Sequence, residues 1–240
     1  MGSAAAKILK VASPGLIDYE AGLRIQESIV NLRTSGALSD DVMLLLEHPH
    51  VFTLGRGADA RFIVTPVPGV PVHRVSRGGQ VTYHGPGQLV GYPILKLEGR
   101  DRDVHVYLRR IEAAIVAALA SFGIAGEMRN GLTGVWASER KIASIGVGIR
   151  RWVTMHGFAV NISPDLNYFH AIVPCGIAGC EVTSAAALGY AEVGVEAFGD
   201  AMGTAFAEVF GYDRVERIEL ARLTSIAGAP ARASAIGSQL

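Results

Sequence analysis

Lys141-Ile-Ala-Ser-Ile-Gly-Val-Gly-Ile149 and, after only Arg150–Trp152, Val153-Thr-Met-His-Gly-Phe-Ala-Val-Asn-Ile162 form the stretch that decides the fold. Both runs alternate and the link between them is short, which predicts an antiparallel hairpin. Thr133-Gly-Val-Trp-Ala137 leads into it as a further strand. On the N-terminal side Val104, Leu108, Ile111, Ile115 and Leu119 recur at helical spacing, with Gly123 placed to end the helix. On the C-terminal side Val195, Phe198, Met202, Phe206 and Val209 mark another helix, stopping near Gly211. Earlier in the chain Ile25, Ile29 and Leu32 predict a helix over 17–34, between short buried strands at 7–12 and 42–47. Val72 to Val75 and Leu89 to Leu95 read as strands on either side of a histidine-bearing loop. Strands and helices follow each other without regular βαβ alternation. The fold class is therefore α+β, with helices packed on a mixed, largely antiparallel sheet. Residues 1–227 read as one domain and 228–240, which lack periodicity, as a loosely held tail.

Composition narrows the function. Half of the 240 residues are hydrophobic and 18% are charged, which fits a globular enzyme and not a disordered or nucleic-acid-coating chain. Lys+Arg and Asp+Glu both number 22, so no global field points to nucleic acid or to a membrane surface. Arg109-Arg110 and Arg150-Arg151 are either solvated surface or a local docking patch. No apolar run approaches the ~18 residues that span a bilayer, and the first residues lack the pattern of a secretory signal. Two cysteines make no disulfide framework. The expectation is a cytoplasmic protein with reduced thiols.

The chemistry is concentrated in four places. Arg77-Gly-Gly-Gln-Val-Thr-Tyr-His-Gly-Pro-Gly-Gln-Leu-Val-Gly-Tyr92 holds five glycines and reads as a binding surface of exposed N–H groups and a few polar side chains. It is not a phosphate loop, and Gly55-Arg-Gly57 is only a faint echo of one. His84 within it is a general base, a hydrogen-bonding group or a packing residue. His48 and His50 line the same cleft or are ordinary loop residues. Cys175, between Pro174 and Gly176, is either a nucleophile on a shaped loop or a small buried hydrophobe. Cys180 reads as incidental. Lys141 is either the cation that activates a thiol or an edge-strand lysine facing water. The seven histidines show no zinc-like spacing, so no metal site is expected.

Together these residues resemble the lipoyl(octanoyl) transferases, the octanoyltransferases of lipoate synthesis. Arg77-Gly78-Gly79, Thr82, Tyr83, His84, Gln88 and Tyr92 carry the signature of that family. Lys141-Ile-Ala-Ser-Ile-Gly-Val147 matches its lysine-bearing strand, and Gly157-Phe-Ala-Val-Asn161 its second substrate-contacting strand. Asn167-Tyr-Phe-His-Ala-Ile-Val-Pro-Cys-Gly-Ile177 matches the segment with its nucleophilic cysteine. The resemblance implies the fold of the biotin and lipoate protein ligases. It implies transfer of octanoyl from octanoyl-acyl carrier protein to a lysine of lipoyl domains, in the E2 subunits of 2-oxo-acid dehydrogenases and the H protein of glycine cleavage. Cys175 and Lys141 would be catalytic. Arg77, Gly78, Gly79, Gln80, Val81, Thr82, Tyr83 and His84 would line the acyl site, with Ser144, Ile145, Gly146, Gly157, Phe158 and Ala159 opposite. The implied enzyme needs no cofactor, metal or ATP; nothing in the sequence demands more than a monomer, and composition points to neither nucleic acid nor membrane as a partner. Its rivals are an ATP-dependent lipoate or biotin ligase on the same fold and an inactive module that only holds its ligand.

Overall fold

A computed structural model describes residues 6–174 and 179–226. The predicted hairpin lies within its main sheet. The chain opens with β1 (Ile8–Leu16), α1 (Tyr19–Ser35), β2 (Asp41–Glu47), β3 (Val51–Leu54) and β4 (Val72–Arg74). It continues through β5 (Val81–His84), β6 (Gln88–Ile94), α2 (Val104–Ala120) and β7 (Val135–Ala137). The hairpin itself is β8 (Arg140–Arg150) and β9 (Val153–Asn161), followed by α3 (Val195–Phe210), β10 (Arg214–Arg217) and α4 (Leu220–Ile226). Seven strands form one sheet in the order β10-β1-β2-β6-β9-β8-β7, and β4-β3-β5 form a second, smaller one. The pairs from β2 through β7 are antiparallel, while β10–β1 and β1–β2 are parallel. The α+β expectation holds.

Helix ends follow local chemistry. Asp18 accepts the Ala21 N–H at the start of α1, and Asp103 accepts those of His105 and Val106 at the start of α2. Gly36 and Gly211 take the left-handed conformation that closes α1 and α3. Alternation in the strands then distributes the core. Met43 and Leu45 of β2 face a cluster with Ile111 and Ile115 of α2 and Phe198 and Phe206 of α3. Val42, Leu44 and Leu46 face the opposite cluster with Ile29 of α1 and Leu223 of α4. The large sheet is thus covered on both faces. Each fully buried Leu or Ile contributes roughly 1.5–3 kcal/mol against exposure.

A third cluster joins the small sheet to the segment ahead of residue 175. Phe52, Val81 and Tyr83 pack with Phe169 and Ile172. Backbone bonds from Val64 and Thr65 to Ala171 O and from Val173 to Phe62 O hold the same junction. Several of these elements were not legible in the sequence. The histidine-bearing loop contains the strand β5, and β3 pairs with it residue for residue from Val51↔His84 to Leu54↔Val81. Four-residue strands fenced by glycine and proline give too short an alternation to register. The proposed tail, 228–240, lies outside the described residues.

Gly157 shows why the central strands need a missing side chain. A Cβ there would stand 2.2 Å from Gly91 O and 2.6 Å from Pro93 Cδ. The first of these is backbone, which cannot swing aside. Gly157→Ala is expected to cost about 1–3 kcal/mol through forced separation of β6 and β9, read as a lower denaturation midpoint by circular dichroism. An unchanged midpoint would mean that the two strands tolerate the separation.

Candidate active site

The small sheet and the Arg77–Thr82 segment fold over β6, β8 and β9, and a cavity of about 260 Å³ lies between them. That exceeds the ~150 Å³ of an apolar cavity able to hold a benzene ring. Of the residues expected from sequence, Arg77, Gly79, Gln80, Val81, Thr82 and His84 line one wall. Lys141, Ser144, Ile145, Gly146, Gly157, Phe158 and Ala159 line the other. Cross-strand register explains the second wall, because Ser144 pairs with Ala159 and Gly146 with Gly157. Small residues opposite small residues leave a groove on the sheet. Gly146 lies five residue steps along β8 from Lys141, so the groove extends roughly 17 Å at a strand rise of ~3.3 Å per residue.

Two expected wall residues sit elsewhere. Gly78 is committed to the scaffold, its N–H donating to Val147 O at 2.8 Å. Tyr83 is fully buried on the far side of β5, where it stacks on Tyr168 and its hydroxyl meets His50 Nδ1 at 2.8 Å. Alternation along β5 sends Thr82 and His84 to the cavity and Tyr83 away from it. His50 therefore belongs to the packing behind the wall. Cys175 lies outside the described residues. Cys180 is partly exposed, and its thiol is directed at Glu181 O at 3.9 Å.

Lys141 is not the water-facing edge lysine of the alternative reading. Only 2% of it is exposed, and β7 covers the sheet edge beyond it. Its Nζ donates to Thr133 O at 2.9 Å and lies 4.9 Å from the centre of the Trp136 ring. Its backbone is fixed as well: the N–H donates to Glu181 O at 2.8 Å and the carbonyl accepts from Thr183 N–H at 2.9 Å. The chain returning from residue 175 is thereby stitched to the lysine strand.

Arg77 is buried, and its charge fastens the glycine-rich segment to the small sheet. The guanidinium donates to Thr53 O and Thr53 Oγ1, both at 2.8 Å, and to Gly78 O at 2.9 Å. Tyr19, Val90, Tyr92, Gly131–Thr133 and His156 complete the lining and were not foreseen as a group. Tyr92 was in the family signature, whereas His156 looked like any strand residue. His156 carries φ +55 inside β9, a left-handed conformation costing on the order of 1–3 kcal/mol for a residue with a side chain. The strain turns its N–H onto Gln26 Oε1 of α1 at 2.8 Å and its ring onto Ser76 Oγ at 3.0 Å.

Hydrogen bonding fixes the protonation of a second ring. His48 Nδ1 faces Ile17 O at 2.6 Å, an atom that can only accept, so Nδ1 carries the proton. Nε2 then accepts from the Tyr92 hydroxyl at 2.7 Å. Burial pushes the His48 pKa down to about 4. Burial, with Arg77 and Arg56 adding to it, does the same for His156, to about 4. For His84 burial and then the neighbouring His48 bring it to about 3. Burial also raises the Tyr19 phenol to about 12, against the pull of Arg77. The cavity wall is uncharged at neutral pH apart from its arginine and lysine.

This has a consequence for stability. The folded pKa values lie below the ordinary histidine value of 6.5. As pH falls below 6.5 the unfolded chain takes up protons that the folded chain refuses, so stability present above 6.5 is lost towards about 4 and about 3. The slope is ~1.4 kcal/mol per pH unit for each ring. Near pH 5, unfolding is expected to bind about three protons on these rings, beyond any bound by carboxylates. The pH dependence of the urea midpoint measures this, and His48→Asn should flatten it by about one proton.

Three of the four arginines of the candidate docking patch are already engaged among the described residues. Arg109 pairs with Glu112, Arg110 with Asp101 and Val209 O, and Arg150 with Asn31. They give little support to a basic docking patch.

Comparison with known proteins agrees with the geometry. The family model for the lipoyl protein ligase A/B catalytic domain matches residues 18–207. An octanoyltransferase of Gloeobacter violaceus is 48% identical over 198 residues, 82% of this chain and 88% of that protein. One of Solibacter usitatus is 47% identical over 212 residues, 86% of this chain and 95% of the other. Among solved structures, a bipartite lipoate protein ligase from Thermoplasma acidophilum superposes with a TM-score of 0.70 at 19% identity, covering 93% of this chain and 90% of that one. A lipoate-protein ligase A bound with ATP gives 0.67 at 16% identity, with 93% of each chain covered. At such identities the structures speak for the fold. The octanoyltransferases, alike over more than four-fifths of the chain, speak for more. This chain belongs to the lipoyl protein ligase A/B catalytic-domain family and, within it, to the octanoyltransferases, enzymes of the acyltransferase class.

Proposed function

We propose that the chain moves an octanoyl group from octanoyl-acyl carrier protein to a lysine of lipoyl domains, through a thioester on Cys175 and without ATP. The acceptors in this reading are the E2 subunits of 2-oxo-acid dehydrogenases and the glycine-cleavage H protein. The observation that carries it is Lys141, a buried lysine on the wall of a groove floored by small residues. An amine in that position can exchange a proton with a thiol. A binding module has no use for it.

In the first half-reaction the Cys175 thiolate attacks the thioester carbonyl, and the bond to the pantetheine sulfur breaks. The leaving thiolate takes a proton from the Lys141 ammonium. In the second, the acceptor amine attacks the acyl-cysteine carbon and gives one proton to Lys141. Cys175 leaves as thiolate and the starting state is restored. Exchanging one thioester for another is nearly neutral and the amide lies downhill, so no nucleotide is consumed. An octanoyl chain spans about 9 Å over seven C–C bonds of ~1.5 Å. The groove accommodates that length, with ~0.8 kcal/mol for each methylene buried.

The enzyme is further proposed to act as a cytoplasmic monomer, with residues 1–227 as its one catalytic domain. Among the described residues no helix is long and apolar enough to cross a membrane. Incubation with octanoyl-acyl carrier protein and a lipoyl domain, without ATP, should yield the octanoylated domain by intact mass. A product that forms only from free octanoate with ATP would overturn the reading in favour of a ligase.

A further inference from the structure

A buried chain of amides leads from the cavity wall to the strand that carries Lys141, and the proposed reaction gives it no role. It runs through Gln88 at the start of β6 and Asn161 at the end of β9, which face each other in register. Gln88 is 1% and Asn161 4% exposed. Asn161 Nδ2 donates to Thr183 O at 2.9 Å, so Asn161 Oδ1 is the acceptor for Gln88 Nε2, also at 2.9 Å. The second hydrogen of Gln88 Nε2 goes to Tyr83 O at 3.2 Å. With both hydrogens spent on atoms that only accept, Gln88 must turn Oε1 to His84 Nδ1, 2.7 Å away. An amide oxygen cannot donate, so Nδ1 holds the imidazole proton. At the other end Thr183 N–H donates to Lys141 O at 2.9 Å.

We propose that Gln88 and Asn161 are positioning residues: an amide relay that locks His84 as the neutral Nδ1–H tautomer and ties it to the Lys141 strand. His84 Nε2 is then left with a lone pair and no proton, on a ring that lines the cavity. Such a group accepts a hydrogen bond from an N–H donor, the chemistry of an arriving lysine amine. It cannot donate to the oxygen of a tetrahedral intermediate, so the oxyanion must be held by other groups. Burial, which keeps the ring neutral, agrees with this assignment.

The kinetic half of the proposal rests on the octanoyl-transfer reading, but the tautomer does not, and the test separates them. In the substrate-free wild-type protein, 15N NMR of His84 should show a protonated Nδ1 and an unprotonated Nε2. The opposite tautomer overturns the relay, whatever the variants do. Gln88→Leu removes the acceptor and should shift His84 towards the Nε2–H form. Asn161→Asp leaves an oxygen for Gln88 and should keep the tautomer, while it loses the donor to Thr183 O. Displacement of the Lys141 strand by ~1 Å lowers kcat by up to ~10²-fold, with KM for the carrier protein little changed. Wild-type tautomer and kcat retained in Gln88→Leu would overturn the proposal even if octanoyl transfer is confirmed. A wild-type protein without transfer activity would sink the reading of function and leave the tautomer to be judged on its own.

Discussion

Lys141→Ala is expected to lower octanoyl transfer by about 10²–10⁴-fold, the range for loss of a positioned proton-transfer group. The side chain has little freedom to be replaced by anything else. It is 2% exposed, and Thr133 O receives its Nζ proton. Gly134 makes room for it: a Cβ at that residue would stand 2.6 Å from Lys141 Cε and 3.0 Å from Nζ, on a backbone with φ +135. Lys141→Arg brings a broader, forked head into that space and is not expected to restore the rate. Lys141→Met keeps the bulk but leaves Thr133 O without its donor, at a cost of roughly 1–3 kcal/mol. Steady-state transfer should be read beside alkylation of Cys175 at neutral pH. In the proposed pair the ammonium favours the thiolate, so alkylation should slow in Lys141→Ala. A variant that keeps both rates would remove Lys141 from the chemistry. Thermal unfolding separates catalytic loss from loss of fold.

The sequence carried the large sheet and the three long helices because their signals are periodic. Seventeen-residue helices such as α1 and α2 repeat their apolar face several times, and the nine- to eleven-residue strands of the hairpin repeat theirs. What it did not carry is short or depends on the partner. β3 and β5 have four residues each and are defined by each other. The parallel pairing of β1 with β2 and β10 depends on where distant segments dock, which no local pattern encodes. The site divides in the same way. Residue types at fixed offsets announced the two walls, and all but Gly78 and Tyr83 of the described wall residues reach the cavity. Tyr83 points away because the loop containing it is a strand, and a strand sends alternate residues to opposite faces. Several of the glycines serve chain-on-chain packing: a Cβ at Gly85, Gly87 or Gly91 would run into Tyr83, Ser163 or Phe158. His156 and the Gln88–Asn161 relay were out of reach, since φ +55 in a strand and a hydrogen bond across 73 residues exist only in the folded chain.

Cys175→Ala should abolish octanoyl labelling of the enzyme and reduce transfer by at least ~10³-fold, as expected when a covalent nucleophile is removed. Cys180→Ala should change neither. The contrast follows from how the neighbouring chain is held. On the N-terminal side Ile172 bridges to Ile63, and Val173 N–H is fixed to Phe62 O at 2.8 Å. On the C-terminal side Glu181 O accepts the Lys141 N–H, and the Thr183 N–H donates to Lys141 O. The described chain on either side of residue 175 is therefore anchored, and the lysine strand is one of the anchors. Cys180 precedes Glu181 on that return, but it is partly exposed, faces a backbone carbonyl and takes no part in lining the cavity. The measurement is intact mass after incubation with octanoyl-acyl carrier protein, with and without hydroxylamine to cleave a thioester. One octanoyl group should appear in wild type and in Cys180→Ala, and none in Cys175→Ala. A label that survives Cys175→Ala and disappears in Cys180→Ala would transfer the nucleophile to the second thiol. A label that survives in both variants and resists hydroxylamine would place the octanoyl group on a side chain other than the two thiols, whereas transfer with no label in the wild type would mean direct attack by the acceptor amine, with Lys141 acting alone as the base.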